Sequence, residues 1–476
     1  MTTQPPQILD YVTVSAPTLS IAGHSRLLAH LASDTKCKRC LQIGIGRAGY
    51  LLLAVLIAAC FGPLARSVTA QQYQVFYLDS LGGTRSRGNS INNREWIAGF
   101  SFLTGNQRRH AALWRDGSIF DLVTLGQPDR NSNVAWPVKN NRGIIAGISQ
   151  TDTPEPNGEA WSCSAFFGGQ SGYICLGFVW QSGTMRPLSP LAGGYNSFAT
   201  GANNDGKVVG WAENGVHDPM CVAPQVLQFR PVIWSPGTNQ PQALPLIAGD
   251  TSGAATAINN QGQIVGISGI CDVAVGRYTA KHAVLWDNGI PTDVGNLGAE
   301  IWITPMAINQ RGDIVGFGAT RADDINGDFL RAFIWNRRDG IKQIDPLPVA
   351  NHVYSQANGI NEHGQVVGIS CTVDGDCLGF LWVNGVMSNL NDPNIVPGFT
   401  GVIINAQDIN DDGEITGRAI DPTTGDIKAF VAVPLLASAT SKRTAPLKMR
   451  AKVVLPKDVR QTIWQQRGLG LGNLLR

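Results

Sequence analysis

One nine-residue phrase, written seven times, constrains this chain more than any other feature. Aligned on its last residue it reads INNREWIAG (Gly99), KNNRGIIAG (Gly147), ANNDGKVVG (Gly210), INNQGQIVG (Gly266), INQRGDIVG (Gly316), INEHGQVVG (Gly368) and INDDGEITG (Gly417). The successive intervals are 48, 63, 56, 50, 52 and 49 residues. Self-similarity at a period near fifty is the mark of a stacked or radial array of small units.

Each unit carries a second phrase downstream: HAALW (Trp114), GFVW (Trp180), PVIW (Trp234), HAVLW (Trp286), RAFIW (Trp335), GFLW (Trp382) and KAFVA (Ala432). A glycine turn follows six of these, then a short apolar segment such as FDLVTLG or TDVGNLG. The two phrases together resemble the HAF-type extracellular repeat of bacterial proteins, over about 360 of the 476 residues. That resemblance implies export and a β-rich repeat, and implies no activity.

The phrase reads as a hairpin. In unit four Ile258 closes one strand and Ile264 and Val265 open the next. Asn259, Asn260, Gln261 and Gly262 make the turn, with Gly supplying positive φ at its last position. Gly266 inside a strand marks a close backbone approach or a bulge. Unit one departs from the pattern, because Glu95 stands where Gly262 stands, and strain of about 1–2 kcal/mol is expected there.

Each unit thus offers four short strands, named a to d in order. Segments such as Ala283–Val284–Leu285–Trp286 are apolar on both faces and need cover on both sides. The expected fold is all-β: a single seven-bladed β-propeller of four-stranded antiparallel blades. A β-solenoid and two stacked smaller propellers are the rival arrangements. The segment YQVFYLDSLGG, residues 73–83, looks like a strand d without its own a, b and c. Residues 73–81 are expected to fill the missing outer strand of unit seven and so close the array.

Four domains follow. Residues 1–43 read as a disordered extension and 44–70 as a signal peptide or membrane anchor. Residues 71–436 form the propeller, and 437–476 make a basic, largely disordered tail. The run YLLLAVLIAACF, residues 50–61, is shorter than the roughly 20 apolar residues of a spanning helix. With a basic region before it and SVTA before Gln71 it resembles a secretory signal. Lipidation at Cys60, or an uncleaved inner-membrane anchor over 48–64, are the alternatives. The expected location is secreted, periplasmic or cell-surface. The middle of the chain carries about ten more acidic than basic residues and the tail about eight more basic than acidic, hence no nucleic-acid partner is expected. The tail offers a possible membrane-surface contact through Lys457, Arg460 and Arg467, with Val459, Ile463 and Trp464 opposite.

The b–c connections are long and dissimilar, whereas the a–b and c–d turns are short. Variation on one side of a scaffold is how binding loops are carried. All six cysteines after residue 70 fall in b–c connections: Cys163, Cys175, Cys221, Cys271, Cys371 and Cys377. An even count in an exported chain favours disulfides. The pairing is open from sequence, although Cys163–Cys175 and Cys371–Cys377 each lie within one loop and leave Cys221–Cys271 between adjacent units.

Asp408, Asn410, Asp412 and Gly413 match the opening of a calcium loop, but Ala419 replaces its bidentate Glu. Asp324, Asn326 and Asp328 are a second weak calcium candidate, and no other cofactor is expected. The motifs G-x-S-x-G, H-E-x-x-H and the Walker loop are absent from the sequence. The expected function is a binding scaffold that uses the b–c loop side without catalysis, for a glycan, a peptide or an envelope protein. An extracellular polymer-degrading enzyme, lyase or hydrolase, is the alternative, with His217, Asp218, Asp272, Asp323 and Asp324 as its candidates. A purely structural surface protein is the third reading.

Overall fold

β-Branched and aromatic residues bounded by Asn and Gly produce strands throughout. The computed structural model describes residues 71–159, 163, 166–167, 172–272 and 279–435. Unit four is typical: strands Ser252–Ile258, Ile264–Gly269, Ala280–Asp287 and Ile290–Asp293 pair antiparallel in sequence order. Its first two strands are buried along their whole length. Both faces are therefore covered, as the unbroken apolar runs require. Units two to six each make such a four-stranded sheet, and the molecule is all-β and propeller-like.

Unit seven supplies only Val402–Ile409, Ile415–Ile420 and Ile427–Pro434. Its fourth strand is Tyr73–Tyr77, antiparallel to the third from Tyr73 opposite Pro434 to Tyr77 opposite Phe430. The borrowed strand is thus the one expected from the sequence, though it ends at Tyr77. A single parallel bridge, Arg85 to Ile427, links this sheet to the antiparallel sheet of unit one.

The closing glycine of each phrase has a steric cause. In unit four the register of strand a shifts between Ala255 and Ala257, a bulge opposite Gly266. The bulge drives the Ala254 carbonyl to 2.0 Å from where a Cβ on Gly266 would sit. In the other units the equivalent carbonyl lies 1.9–2.3 Å from where a Cβ on the corresponding glycine would sit, from Arg87 opposite Gly99 to Asn405 opposite Gly417. No side chain fits, so glycine is obligatory. The bulge also turns one residue of strand a inward, as with Asn89, Met306 and Gln407.

The asparagine turns are joined in a circuit. Asn259 accepts the Gln263 amide within its own turn at 3.0 Å and donates through Nδ2 to the Asn309 carbonyl of the next unit at 3.1 Å. The following residue hands a second bond along. The amides of Asn93, Asn141, Asn204, Asn260, Gln310, Glu362 and Asp411 donate in turn to the side chains of Asn141, Asn204, Asn260, Gln310, Glu362, Asp411 and Asn93. The seventh turn therefore bonds to the first.

The cysteines are paired as Cys163–Cys175, Cys221–Cys271 and Cys371–Cys377. The b–c side is packed rather than open. Phe166 lies 4.8 Å from Phe198, which stacks on Trp211 at 4.2 Å, and Trp136 meets Trp211 edge-on at 5.7 Å. All six cysteines adjoin this same cluster. The expected leader or anchor, Cys60 and the basic tail lie outside the described residues. Among the described residues no helix is long and apolar enough to cross a membrane.

Candidate functional site

The cavities open mainly where the turns are short. One of about 490 Å³ lies between units two and three, walled by Arg186, Gly206, Trp234, Pro236, Thr238 and Asn239. Another, of about 350 Å³, lies where unit seven meets unit one, walled by Tyr77, Asp79, Arg94, Glu95, Trp114 and Glu414 among others. These two cavities lie on the side opposite the long loops, whose cysteines are paired beside aromatic residues.

The second groove carries the more pointed chemistry. Glu95 sits in its wall with φ of 60°, whereas Gly143, Gly206, Gly262, Gly312, Gly364 and Gly413 occupy the same turn position at φ of 71–82°. The left-handed backbone costs a side chain about 1–2 kcal/mol, and such strain tends to collect at working sites. Glu95 is exposed. Glu414 is 9% exposed and accepts a hydrogen bond from Asn410 Nδ2 at 2.8 Å. Burial raises its pKa; the Asn410 bond opposes this, and the charges of Glu95 and Asp412 add to the rise. The groove thus pairs an exposed carboxylate with a carboxyl group that holds its proton more tightly. Arg94 and Arg115 flank both over the Trp96 ring, at 4.7 and 4.9 Å.

A second carboxyl pair is enclosed on the b–c side. Glu213 is fully buried and accepts the amides of Tyr195 and Asn196 and the Asn196 side chain at 2.9–3.2 Å. Glu159 accepts the Val226 and Leu227 amides, each at 2.7 Å. Burial first, then the Glu159 charge, pushes Glu213 up to about 8. Every donor here belongs to a loop or strand end, so the pair ties the loops together.

The residues singled out from sequence do not form one site. Asp218 accepts the Met220 amide at 2.8 Å and Gln228 Nε2 at 3.0 Å; burial alone would raise its pKa, but these bonds and Thr251 outweigh it and hold it low. His217 is exposed. Asp272 is buried and accepts the Thr279 hydroxyl at 2.7 Å. Asp323 is exposed and pairs with Arg321 at 3.0 Å. Asp324 accepts the amides of Asp328 and Phe329, closing its own loop, while Asn326 is exposed. Asp408 is buried against Lys139 at 2.5 Å and the amides of Ile91 and Ile409. Asn410 serves the asparagine circuit, and Asp412 points to solvent. Among the described residues no three His, Cys, Asp or Glu side chains come together as a metal-ligand set.

Comparison with known proteins gives fold-level likeness only. No family model matches the chain, and no curated protein does. Solved structures do. An acylaminoacyl peptidase from Pyrococcus horikoshii is 11% identical over 77% of this chain and 54% of its own, with a TM-score of 0.42. A prolyl endopeptidase is 11% identical over 82% of this chain and 56% of its own, at 0.43. The β-propeller domain of the Trilobed protease from Pyrococcus furiosus is 11% identical over 75% of this chain and 93% of its own, at 0.41. The chain spans about half the length of the first two. The expectation of a scaffold that catalyses nothing is not what these matches point to: they are peptidases or a domain of one, and the likeness speaks to fold alone.

Proposed function

We propose that the chain is an exported, closed seven-bladed propeller that hydrolyses an extracellular polymer in the groove between Glu95 and Glu414. The closed ring is supported by the hydrogen-bonded circuit that returns from Asp411 to Asn93 and by the borrowed strand Tyr73–Tyr77. Export, as in HAF-type repeat proteins, is supported by the three disulfides, which persist in oxidising compartments.

The observation that carries the chemistry is Glu95. A glutamate held in a left-handed turn, where six sister turns use glycine, faces a groove that also holds Glu414. Two carboxyl groups in unlike environments can divide acid and base duties. Glu414, buried and proton-retaining, donates its proton to the leaving group. Glu95, exposed, takes a proton from the attacking water, whose oxygen bonds to the carbon being released. The water's second proton stays with the new hydroxyl, and the proton on Glu95 returns to Glu414 through solvent.

The full chain, incubated with a panel of polysaccharides and denatured proteins, is expected to release reducing ends or amines. Glu414→Gln and Glu95→Gln should each lower turnover by about 100-fold or more. Glu95→Gly should abolish turnover yet stabilise the protein by about 1 kcal/mol by relieving the turn. Retained turnover in Glu95→Gly, or silence of the unmodified chain on every polymer, overturns the reading.

A further inference from the structure

The side chains that carry the turn-to-turn bonds also wall a cavity. It has a volume of about 80 Å³ and is formed by the turns of units one, two, four, five, six and seven, so it lies inside the asparagine circuit. Lys139, Asn141, Asn260, Gln310, Glu362 and Asp411 bring its chemistry. Each position of the circuit spends one side-chain oxygen on the backbone amide of the turn before it. Asn93, Asn141, Asn204, Asn260 and Gln310 do so as neutral amides, so the bond itself needs no charge. Units six and seven nevertheless use acids, Glu362 at 2.8 Å from the Gln310 amide and Asp411 at 2.9 Å from the Glu362 amide.

The two acids leave the cavity short of positive charge. Lys139 stands where five of the seven phrases begin with isoleucine. Its ammonium is already committed, 2.5 Å from Asp408 Oδ1 and donating to the Ile409 carbonyl. Arg311, whose charge also reaches Glu362, is paired with Asp313 at 2.6 Å. Glu362 is half-buried. Burial raises its pKa; the Gln310 amide opposes this, the Asp411 charge adds to the rise, and Arg311 and Lys139 oppose it. A cation between Glu362 and Asp411 would relieve both acids. Asp411 Oδ2 accepts from Asn93 Nδ2, whereas the circuit uses only Oε1 of Glu362 and leaves Oε2 for the cavity.

The rest of the wall narrows the choice of cation. The oxygens of Asn141, Asn260 and Gln310 are held by backbone amides, so what these side chains have left to offer is an NH2 group. A metal ion takes oxygens only and would meet those hydrogens. An ammonium that carries its own oxygen acceptor uses both sets: its N–H groups donate to the acids, and its oxygen accepts from the amides. The volume admits about six waters, the bulk of one small amino-acid residue, whereas an amino sugar has about a dozen heavy atoms. We propose that this cavity binds an α-ammonium group with its adjoining carbonyl, as a small free amino acid or the first residue of a peptide. The ammonium sits on Glu362 and Asp411, and the carbonyl oxygen on the amides of Asn141, Asn260 and Gln310. The cavity shares no lining residue with the Glu95–Glu414 groove, and the proposal stands without the hydrolase reading.

Titration calorimetry of the full chain near neutral pH, at matched ionic strength, tests this with glycinamide, glycine, N-acetylglycinamide, tetramethylammonium, glucosamine and calcium chloride. Glycinamide or glycine should bind with a Kd of about 1 mM or lower. N-acetylglycinamide lacks the charge and tetramethylammonium lacks the N–H donors, so each should bind at least ten-fold more weakly. The tighter of glycinamide and glycine tells a peptide end from a free amino acid. Glu362→Gln keeps the circuit bond, as Gln310 does, so it should melt within about two degrees of the unmodified chain yet weaken the tighter ligand at least ten-fold. Asp411→Asn, which matches Asn93, should behave likewise. Gln310→Glu adds a third acid to the wall and should tighten binding several-fold; it decides the matter if neither neutral variant folds. No binding of glycinamide or glycine by the unmodified chain, N-acetylglycinamide or tetramethylammonium binding as well, glucosamine or calcium binding more tightly, or an affinity unmoved by these substitutions, would overturn the assignment.

Discussion

At the scale of single residues the fold makes two kinds of demand, and only one can be read in advance. The glycine closing each phrase and the asparagine opening each turn repeat, so their spacing announces them. Gly266 is excluded from bearing a side chain by the Ala254 carbonyl, and Asn259 spans two units. Glu159 and Glu213 repeat nowhere; Glu159 lies in an irregular loop and Glu213 on strand Val208–His217, and no local pattern joins them. Their pairing makes stability depend on pH. Glu213 holds its proton up to about 8 in the folded protein, against an ordinary value of 4.5 in the unfolded chain. Between those values the folded state binds more protons, so stability should fall as pH rises, at up to about 1.4 kcal/mol per pH unit, and level off above 8. Glu213→Gln stays neutral and should flatten that slope. Urea unfolding at intervals from pH 5 to 9 measures it; a slope unchanged by the substitution would remove Glu213 as its source.

At the scale of elements the regular parts were legible and the irregular parts were not. Strands a, b and c announce themselves through Asn-Gly turns and the tryptophan phrase, and the borrowed strand could be placed because residues 73–81 look like a strand d with nothing before it. The groove at Glu95 was legible only as an oddity, a glutamate in a glycine position. Its neighbour Glu414 comes from the other end of the chain, and no local pattern joins the two. The variability of the long b–c loops suggests a binding surface, and in the structure their cysteines also pair as internal staples. Their disulfides should therefore carry unequal weight. In the chain-entropy account Cys221–Cys271, with a sequence separation of 50, contributes about 4 kcal/mol, and Cys371–Cys377, with a separation of 6, about 2 kcal/mol. Paired Cys→Ser variants measured by urea unfolding should fall in that order. The reverse order would mean that native packing, rather than restriction of the unfolded chain, sets the contribution.

At the scale of the molecule the question is whether seven units make a circle or a line. In a linear array each unit touches only its neighbours, stability is nearly a sum over units, and removing an internal one leaves a shorter array that still folds. A closed circuit behaves otherwise. The turn bonds from Gln310 to Glu362 and from Asn260 to Gln310 place unit five between two partners, and the Asp411 to Asn93 bond joins the ends. Unit five, residues 303–351, contains no cysteine, so its deletion leaves all three disulfides with their partners. In the proposed ring, removing one blade requires the other six to re-pack at a different angle, and the borrowed strand and the asparagine circuit cannot both be kept. The deletion should therefore lose more than one unit's share of stability: cooperative melting should give way to a broad transition, and proteolysis should open the Tyr73–Tyr77 edge first. A sharp transition at slightly lower temperature, with that edge still protected, is the result an open array gives, and it would overturn the proposed ring on which the groove between unit seven and unit one depends.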